Sequence, residues 1–151
     1  MKARRGFTLV EILIVVVILG ILAAIVIPQF TQASSEAKEN SLCSDLQTLR
    51  SQIELYKCQH NDVNPTLANF EGQMVYTTDI AGNVNGTSKQ RTGVYQFGPY
   101  LERVPANPFT TSDNVVAWDA SATTDGWEYN ATTGEIRAAI DTVDPNAHQA
   151  L

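Results

Sequence analysis

One carboxylate interrupts the most apolar part of this sequence. Glu11 lies within the run from Phe7 to Ile27, in which only Thr8 and Gly20 also break the series of apolar side chains. A carboxylate inside a membrane costs about 2.5–3.5 kcal/mol on insertion scales. The run contains no second charge, so we expect the partner of Glu11 to come from outside it. The candidates are a backbone terminus of another subunit and lipid headgroups reached by snorkelling.

The apolar run itself has the length of a membrane-spanning helix. Its 21 residues would extend about 31 Å as an α-helix, close to the roughly 30 Å of a bilayer's hydrocarbon core. Lys2, Arg4 and Arg5 precede it, and a polar stretch over 29–39 follows. The positive-inside rule then predicts a cytoplasmic N-terminus, with the rest of the chain across the membrane. A secretory signal peptide has a shorter apolar segment and an Ala-x-Ala cleavage site, so we favour a single-span anchor.

The remaining composition limits the classes of function. The chain has 151 residues, enough for one domain, and a net charge of −6. Since three of its ten basic residues precede Gly6, the body is strongly acidic, which argues against a nucleic-acid partner. The sequence lacks a nucleophile elbow, a phosphate-binding loop and a His/Cys ligand set. We therefore expect a protein that is not an enzyme.

Two cysteines lie in the segment that follows the apolar run. Cys43 and Cys58 are separated by 15 residues, or about 22 Å along one helix. A disulfide requires Cα atoms within about 7 Å, so these two cannot pair unless the helix breaks. We expect two buried free thiols, and no metal site at Cys58 and His60, because zinc needs more ligands.

A second helical pattern covers residues 33–59. Apolar residues recur there at the spacing of one helix face and predict a buried stripe: Leu42, Leu46, Leu49, Ile53 and Tyr56. Pro28 and Gly20 interrupt the helix before this point. Ordinary tolerance in a membrane helix and a functional bend between them are both open.

The C-terminal half is turn-rich and ends in strand patterns. Residues 61–92 read as loops, with Met74–Thr78 β-prone and able to form a hairpin or a decorated loop. Three strands are predicted over Asn114–Trp118, Gly126–Tyr129 and Glu135–Ile140, with a hairpin loop at 130–134. We expect this antiparallel sheet to cover the apolar face of the helix, with Trp118 and Trp127 in the core. The predicted fold class is α+β.

The segment Arg5-Gly6-Phe7-Thr8-Leu9-Val10-Glu11 resembles the class III signal of type IV pilins and type II secretion pseudopilins. The resemblance implies that a prepilin peptidase cleaves between Gly6 and Phe7 and N-methylates Phe7. It also implies that Glu11 neutralises the terminal amine of a neighbouring subunit, and it places Thr8 and Pro28 in the assembly region. The corresponding division is a leader over 1–6, a membrane and filament-core helix over 7–28, and a periplasmic pilin-like domain over 29–151.

A second block, Phe97-Gly98-Pro99-Tyr100-Leu101 through Pro105-Ala106-Asn107-Pro108, resembles the corresponding block of major pseudopilins. The resemblance implies that copies of this chain form a homopolymer and that other pseudopilins are further partners. It also implies that the filament grows from an inner-membrane assembly platform during protein secretion. The alternative is a type IV pilin of a surface fibre for adhesion, motility or DNA uptake. Such pilins commonly close a C-terminal loop with a disulfide, and the absence of cysteine after Cys58 favours the pseudopilin.

An acidic cluster lies near the position at which major pseudopilins hold calcium, and it consists of Asp113, Asp119, Asp125 and Glu128. Calcium takes six to eight oxygen ligands. The sequence lacks the long Gly/Asp-rich C-terminal run associated with that family site. We therefore expect solvated carboxylates and no cofactor, with calcium as the one metal to consider.

Overall fold

The structure is a computed structural model, and it describes residues 8–118, 120 and 124–139. The chain divides into two compact units, residues 1–37 and 38–151. Gly6, Phe7, Asp119 and Ile140 lie outside the described residues.

One helix contains both predicted helical segments. Helix α1 spans Leu9–Gln59, 51 residues, and passes through Gly20 and Pro28 without ending. In the first unit it is long and apolar enough to cross a membrane, with a mean hydropathy of 3.3 in its most apolar window. All its large apolar side chains up to Ile27 are exposed, by 41–82%.

In the second unit the predicted stripe of α1 forms the core. Leu42, Leu49 and Ile53 have no exposed surface, and Leu46 and Tyr56 have 1%. The period-3.6 pattern is therefore confirmed residue by residue. These side chains pack with residues that follow the helix: Phe70, Met74, Leu101, Val104, Trp127, Tyr129 and Ile136.

The three predicted strands are present but shorter than expected. Strand β1 is Val115–Ala117, β2 is Trp127–Tyr129 and β3 is Ile136–Ala138. The fold class is confirmed, but one detail differs, because the sheet is mixed. Strands β2 and β3 form the expected antiparallel hairpin, whereas β1 runs parallel to β2. Val115 pairs with Trp127 and Ala117 with Tyr129, so the two strands run in the same direction.

The segment Met74–Thr78 was expected to be β-prone, and this expectation is largely wrong. A 3₁₀ turn at Leu67–Asn69 leads into α2, Phe70–Val75. Phe70 and Met74 are four residues apart, so a helix places both on one face, and both are buried. Only Thr78 makes isolated bridges, to Val84 and Phe97.

The two tryptophans have different environments. Trp127 is completely buried and its Nε1 donates a hydrogen bond to Pro105 O at 2.7 Å. Trp118 was also expected in the core, but it is only half-buried. The guanidinium of Arg137 lies over its ring at 4.1 Å. Trp118 therefore supports a charged side chain at the edge of the sheet instead of filling the core.

Candidate assembly site at the start of the apolar helix

Helix α1 begins with a reciprocal hydrogen-bonded cap. Thr8 immediately precedes the helix and Glu11 is its third residue. Glu11 Oε2 accepts hydrogen bonds from Thr8 N and from Thr8 Oγ1, each at 2.7 Å. Glu11 N donates in return to Thr8 Oγ1 at 3.3 Å. This arrangement is a capping box, in which the side chains of the first and fourth residues satisfy helix N–H groups that have no partner in the helix.

The cap corrects the expectation that the chain offers Glu11 no partner. Thr8 supplies two donors to the carboxylate, and the Thr-x-x-Glu spacing was a sequence signal that could have predicted them. Thr8 is neutral, however, so the negative charge remains. Among the described residues no cation pairs with Glu11. The geometry therefore fixes where the carboxylate points and leaves its charge to be balanced by another group.

Only one oxygen of the Glu11 carboxylate is used by the cap. Both bonds from Thr8 end on Oε2, and within the described part of the chain no group donates to Oε1. A carboxylate has lone pairs for about four hydrogen bonds. The site can therefore take an additional donor, and a cationic donor would also neutralise the charge.

The helix that carries this site presents apolar side chains in every direction. Leu9 is 82% exposed, and even the least exposed large side chain before Pro28, Val26, is 41% exposed. Burying one such side chain fully stabilises a structure by about 1.5–3 kcal/mol. A helix that is apolar all round must be covered by lipid or by other helices.

Pro28 lies within the helix and cannot donate a backbone hydrogen bond. Three residues later, Thr31 Oγ1 donates to Ile27 O at 3.2 Å, a side-chain bond to a helix carbonyl. At Gly20 an added Cβ would have no atom within 4 Å. Both positions are therefore compatible with a straight membrane helix and with closer packing against a second helix.

The predicted acidic cluster is only partly assembled. Asp125 Oδ1 accepts a hydrogen bond from Asn114 Nδ2 at 3.2 Å. Glu128 does not belong with solvated acids, since it is 2% exposed and its Oε2 accepts bonds from Arg137 Nε and Nη2 at 2.9 and 2.7 Å. Residues 128 and 137 are directly opposite each other on β2 and β3. The hairpin register therefore places this carboxylate in an ion pair with Arg137.

The acids considered as calcium ligands are only partly described, since Asp119 lies outside the described residues. Among them, no group of three or more His, Cys, Asp or Glu side chains could hold a metal ion. Asp113 and Asp125 with Asn114 offer fewer oxygens than the six to eight that calcium takes.

Both cysteines are free, but the expectation that they are buried is wrong. Cys43 and Cys58 are exposed on α1. The buried stripe passes through Leu42 and Tyr56, and each cysteine lies one or two residues beyond a stripe position. At 100° per residue this turns the thiols away from the core.

The chain is similar to known proteins both at its start and over most of its length. Residues 1–27 match the prokaryotic N-terminal methylation motif. The chain is 31% identical over 116 residues to type II secretion system core protein G of Dickeya chrysanthemi, covering 77% of this chain and 70% of that protein. The protein of the same name from Klebsiella michiganensis is 38% identical over 108 residues, with coverage of 72% and 70%. The one from Pseudomonas aeruginosa is 32% identical over 108 residues, again with 72% and 70%.

No solved structure matches the chain. The sequence relatives belong to a secretion system, which favours the secretion pseudopilin over the surface-fibre pilin. With a methylation motif at its start and homology over most of its length, this chain belongs to the family of type II secretion system core protein G, the major pseudopilins.

Proposed function

We propose that the chain is cleaved between Gly6 and Phe7, N-methylated at Phe7, and assembled with its own copies and other pseudopilins into a periplasmic filament. Before assembly residues 7–28 lie in the inner membrane, with a cytoplasmic N-terminus and residues 29–151 in the periplasm. A prepilin peptidase and an inner-membrane assembly platform are its processing and assembly partners. The subunit acts by polymerising, without a cofactor and without catalysing a reaction.

The carboxylate of Glu11, held at the start of an uncovered apolar helix, is the observation that carries this proposal. Thr8 fixes Oε2 and leaves Oε1 for a further donor. Cleavage before Phe7 creates an amine on the residue that precedes Thr8 in the sequence. Burying the amine or the carboxylate alone costs free energy of desolvation. That cost is offset when the amine of one subunit pairs with the carboxylate of another.

This pairing sets the axial register of the filament more than it adds to stability. A subunit shifted along the axis would bury an amine and a carboxylate without partners, whereas apolar contacts along the helix change little with small shifts. A buried polar or ionic group that selects one register is the best-attested role for such groups. The apolar surface of α1 supplies the binding free energy, and Glu11 selects the alignment.

The leader, residues 1–6, opposes assembly into the filament until it is removed. Lys2, Arg4 and Arg5 lie in the six residues before the proposed cleavage site. Moving a basic side chain into the bilayer costs several kcal/mol, so these charges hold the uncleaved chain in the membrane. Cleavage removes them and leaves one amine, which the Glu11 of a neighbour can neutralise.

The test is substitution of Glu11 in cells that contain the secretion apparatus. Glu11→Gln keeps the shape and one acceptor oxygen but removes the charge, so we expect normal cleavage to mature size and loss of filaments. Glu39→Gln removes an exposed acid farther along the same helix and is the matched control, with filaments retained. Filaments are scored by electron microscopy and by cross-linking of sheared fractions.

Variants of Thr8 separate the contribution of the helix cap from that of the Glu11 charge. Thr8→Ser retains the hydroxyl, and we expect it to assemble. Thr8→Val loses the hydroxyl but keeps the shape, and a helix cap is worth about 0.5–2 kcal/mol. We expect fewer filaments from Thr8→Val than from Thr8→Ser. Normal filaments from Glu11→Gln would contradict the proposed charge pairing and leave the family assignment intact.

A further inference from the structure

The two edges of the sheet have different surroundings. At the edge formed by β3, Arg50 of α1 donates to Ile136 O through both Nε and Nη2, each at 3.4 Å. Strand β1 forms the opposite edge, and in the described part of the chain no other strand pairs with its outer side. A strand edge without a partner is a template for the addition of another strand. The β1 edge is therefore the side of the sheet at which a further chain segment can dock.

The outer side of β1 presents backbone groups that are available for hydrogen bonds. Asn114 O accepts from Trp127 N at 2.9 Å, and the backbone groups of successive residues in a strand point to opposite sides. Val115 N–H and C=O therefore point away from β2, and no described group pairs with either of them. Ala117 O accepts from Ala120 N at 3.0 Å. Val115 thus offers one donor and one acceptor to an added strand.

A cavity of about 590 Å³ lies along this edge. Both Val115 and Val116 line it. Successive side chains of a strand point to opposite faces, so a cavity that touches both residues lies at the edge of the sheet and not over one face. The 3₁₀ turn at Leu67–Asn69 and helix α2 form the other wall, with the buried Phe70 among its residues. The cavity is as large as typical binding pockets, which have about 300–1,000 Å³.

The charges around this groove indicate what it binds. Three carboxylates line it, from Glu71, Asp113 and Asp125, and among the described residues no Lys, Arg or His does. Glu71 and Asp113 are exposed, and Asp125 is half-buried. The hydrogen bond from Asn114 Nδ2 to Asp125 Oδ1 comes from a neutral group, so it leaves the negative charge in place. Electrostatic complementarity therefore favours a positively charged segment and disfavours an acidic one.

We propose that this groove binds an extended basic segment of a partner protein, which adds a strand to the β1 edge at Val115 and places Lys or Arg side chains against the three carboxylates. In strand addition the main-chain bonds supply affinity, and pockets for alternate side chains supply specificity. Strand β1 has three residues and so offers few main-chain bonds. The apolar wall and the carboxylates therefore contribute a large part of the recognition.

A second copy of this chain fits the groove less well than a basic partner does. The chain after its first six residues is strongly acidic, so two copies repel each other at this surface. Lys89 and Arg91 are the two basic residues that lie closest together in that part. Lys89 Nζ is already 2.7 Å from Glu102 Oε1, and Arg91 Nε donates to Gly98 O at 2.7 Å. The groove is also separate from Glu11, so the inference does not rest on the proposed filament assembly.

Titration of the full chain in nonionic detergent micelles with two short peptides tests the charge preference. The probe is an acetylated and amidated peptide of about six residues that alternates valine and lysine, and the control peptide has glutamate in place of lysine. An exposed ion pair contributes about 0.2–1 kcal/mol, and like charges oppose binding by similar amounts. With three carboxylates in the groove, we expect the lysine peptide to bind at least about tenfold more tightly.

Amide hydrogen exchange of the wild-type chain locates the bound peptide. The Val115 N–H gains a hydrogen-bond partner when a strand is added, so we expect its exchange to slow in the presence of the lysine peptide. The Val116 N–H faces β2 and is the internal reference, with unchanged exchange. This comparison needs no substitution, so it holds whether or not a variant folds.

Substitutions separate the contributions of charge and backbone. Glu71→Gln and Asp113→Asn should each weaken binding of the lysine peptide about two- to fivefold. Val115→Pro removes the outward N–H, and proline is tolerated on edge strands when its missing N–H faces outward. We expect it to weaken binding about tenfold. Glu54→Gln is the matched control, because Glu54 is an exposed acid of α1 that does not line the groove, and its affinity should equal that of the wild type.

Several results would overturn the proposal. Equal affinity for the lysine and glutamate peptides would contradict the charge preference, and unchanged Val115 exchange in the bound state would contradict strand addition. Slow exchange of the Val115 amide before any peptide is added would show that the groove is already filled. If that protection rises with protein concentration, the occupant is a second copy, and if it does not, the occupant is another segment of the same chain.

Discussion

Among the described glycines, Gly126 is the one at which an added Cβ would meet another atom most closely. Its N–H donates to Asn114 O at 3.1 Å, and its carbonyl accepts from Asn107 Nδ2 at 3.0 Å and Ala139 N at 3.1 Å. A Cβ at this position would overlap the carbonyl oxygen of Ser112 and lie 2.9 Å from the carbon of that carbonyl. Because the obstacle is backbone, it cannot move aside as a side chain could.

The expected loss of stability in Gly126→Ala follows from the groups that the added Cβ would displace. Ser112 O accepts a hydrogen bond from Asn107 N at 2.9 Å, which displacement of the carbonyl would break. A second bond at Gly126 would lengthen as the strand moves. Overpacking costs about 1–3 kcal/mol, and each lost hydrogen bond costs about 0.5–1.5 kcal/mol. We expect Gly126→Ala to lower the free energy of unfolding by about 2–6 kcal/mol, a large part of the roughly 5–15 kcal/mol of a typical domain.

Urea unfolding of the full chain in detergent micelles measures this loss. Trp127, next to Gly126 and completely buried, provides the fluorescence signal. With a slope of about 1–3 kcal/mol per molar urea, the midpoint should fall by at least about 0.7 M. Gly93→Ala is the matched control, because Gly93 is exposed and a Cβ there has no atom within 4 Å. Equal midpoints for the two variants would refute the packing argument.

Two further predictions concern side-chain exposure. Cys43 and Cys58 should both react with a maleimide in the folded protein, and Cys43→Ser or Cys58→Ser should each remove one label; a thiol that reacts only in denaturant would contradict the structure. Burial raises the pKa of Tyr56 and Tyr100 to about 12, and that of Tyr129 also upward. Since unfolded tyrosine ionises near pH 10, the stability due to the neutral phenols is complete below about pH 10 and is lost as pH rises towards 12. Phenolate absorbance should show these tyrosines titrating with unfolding; ionisation of all five tyrosines near pH 10 in folded protein would contradict this.

The sequence determined the features that depend on local periodicity. The buried stripe from Leu42 to Tyr56 was predicted without error, because a helix repeats every 3.6 residues and burial follows that repeat. The hairpin around residues 130–134 was likewise predicted from turn residues between alternating strands. The apolar run was likewise confirmed as part of one long helix, and the assembly role of Glu11 stays a prediction.

Tertiary structure decided which groups meet. The parallel pairing of β1 and β2, the ion pair of Glu128 with Arg137 and the burial of His60 against Thr78 each join residues from separate segments. Sequence patterns report the face of an element on which a side chain lies, but not which distant segment covers that face. Pairing and burial of polar groups depend on that covering segment, so only the folded chain determined them.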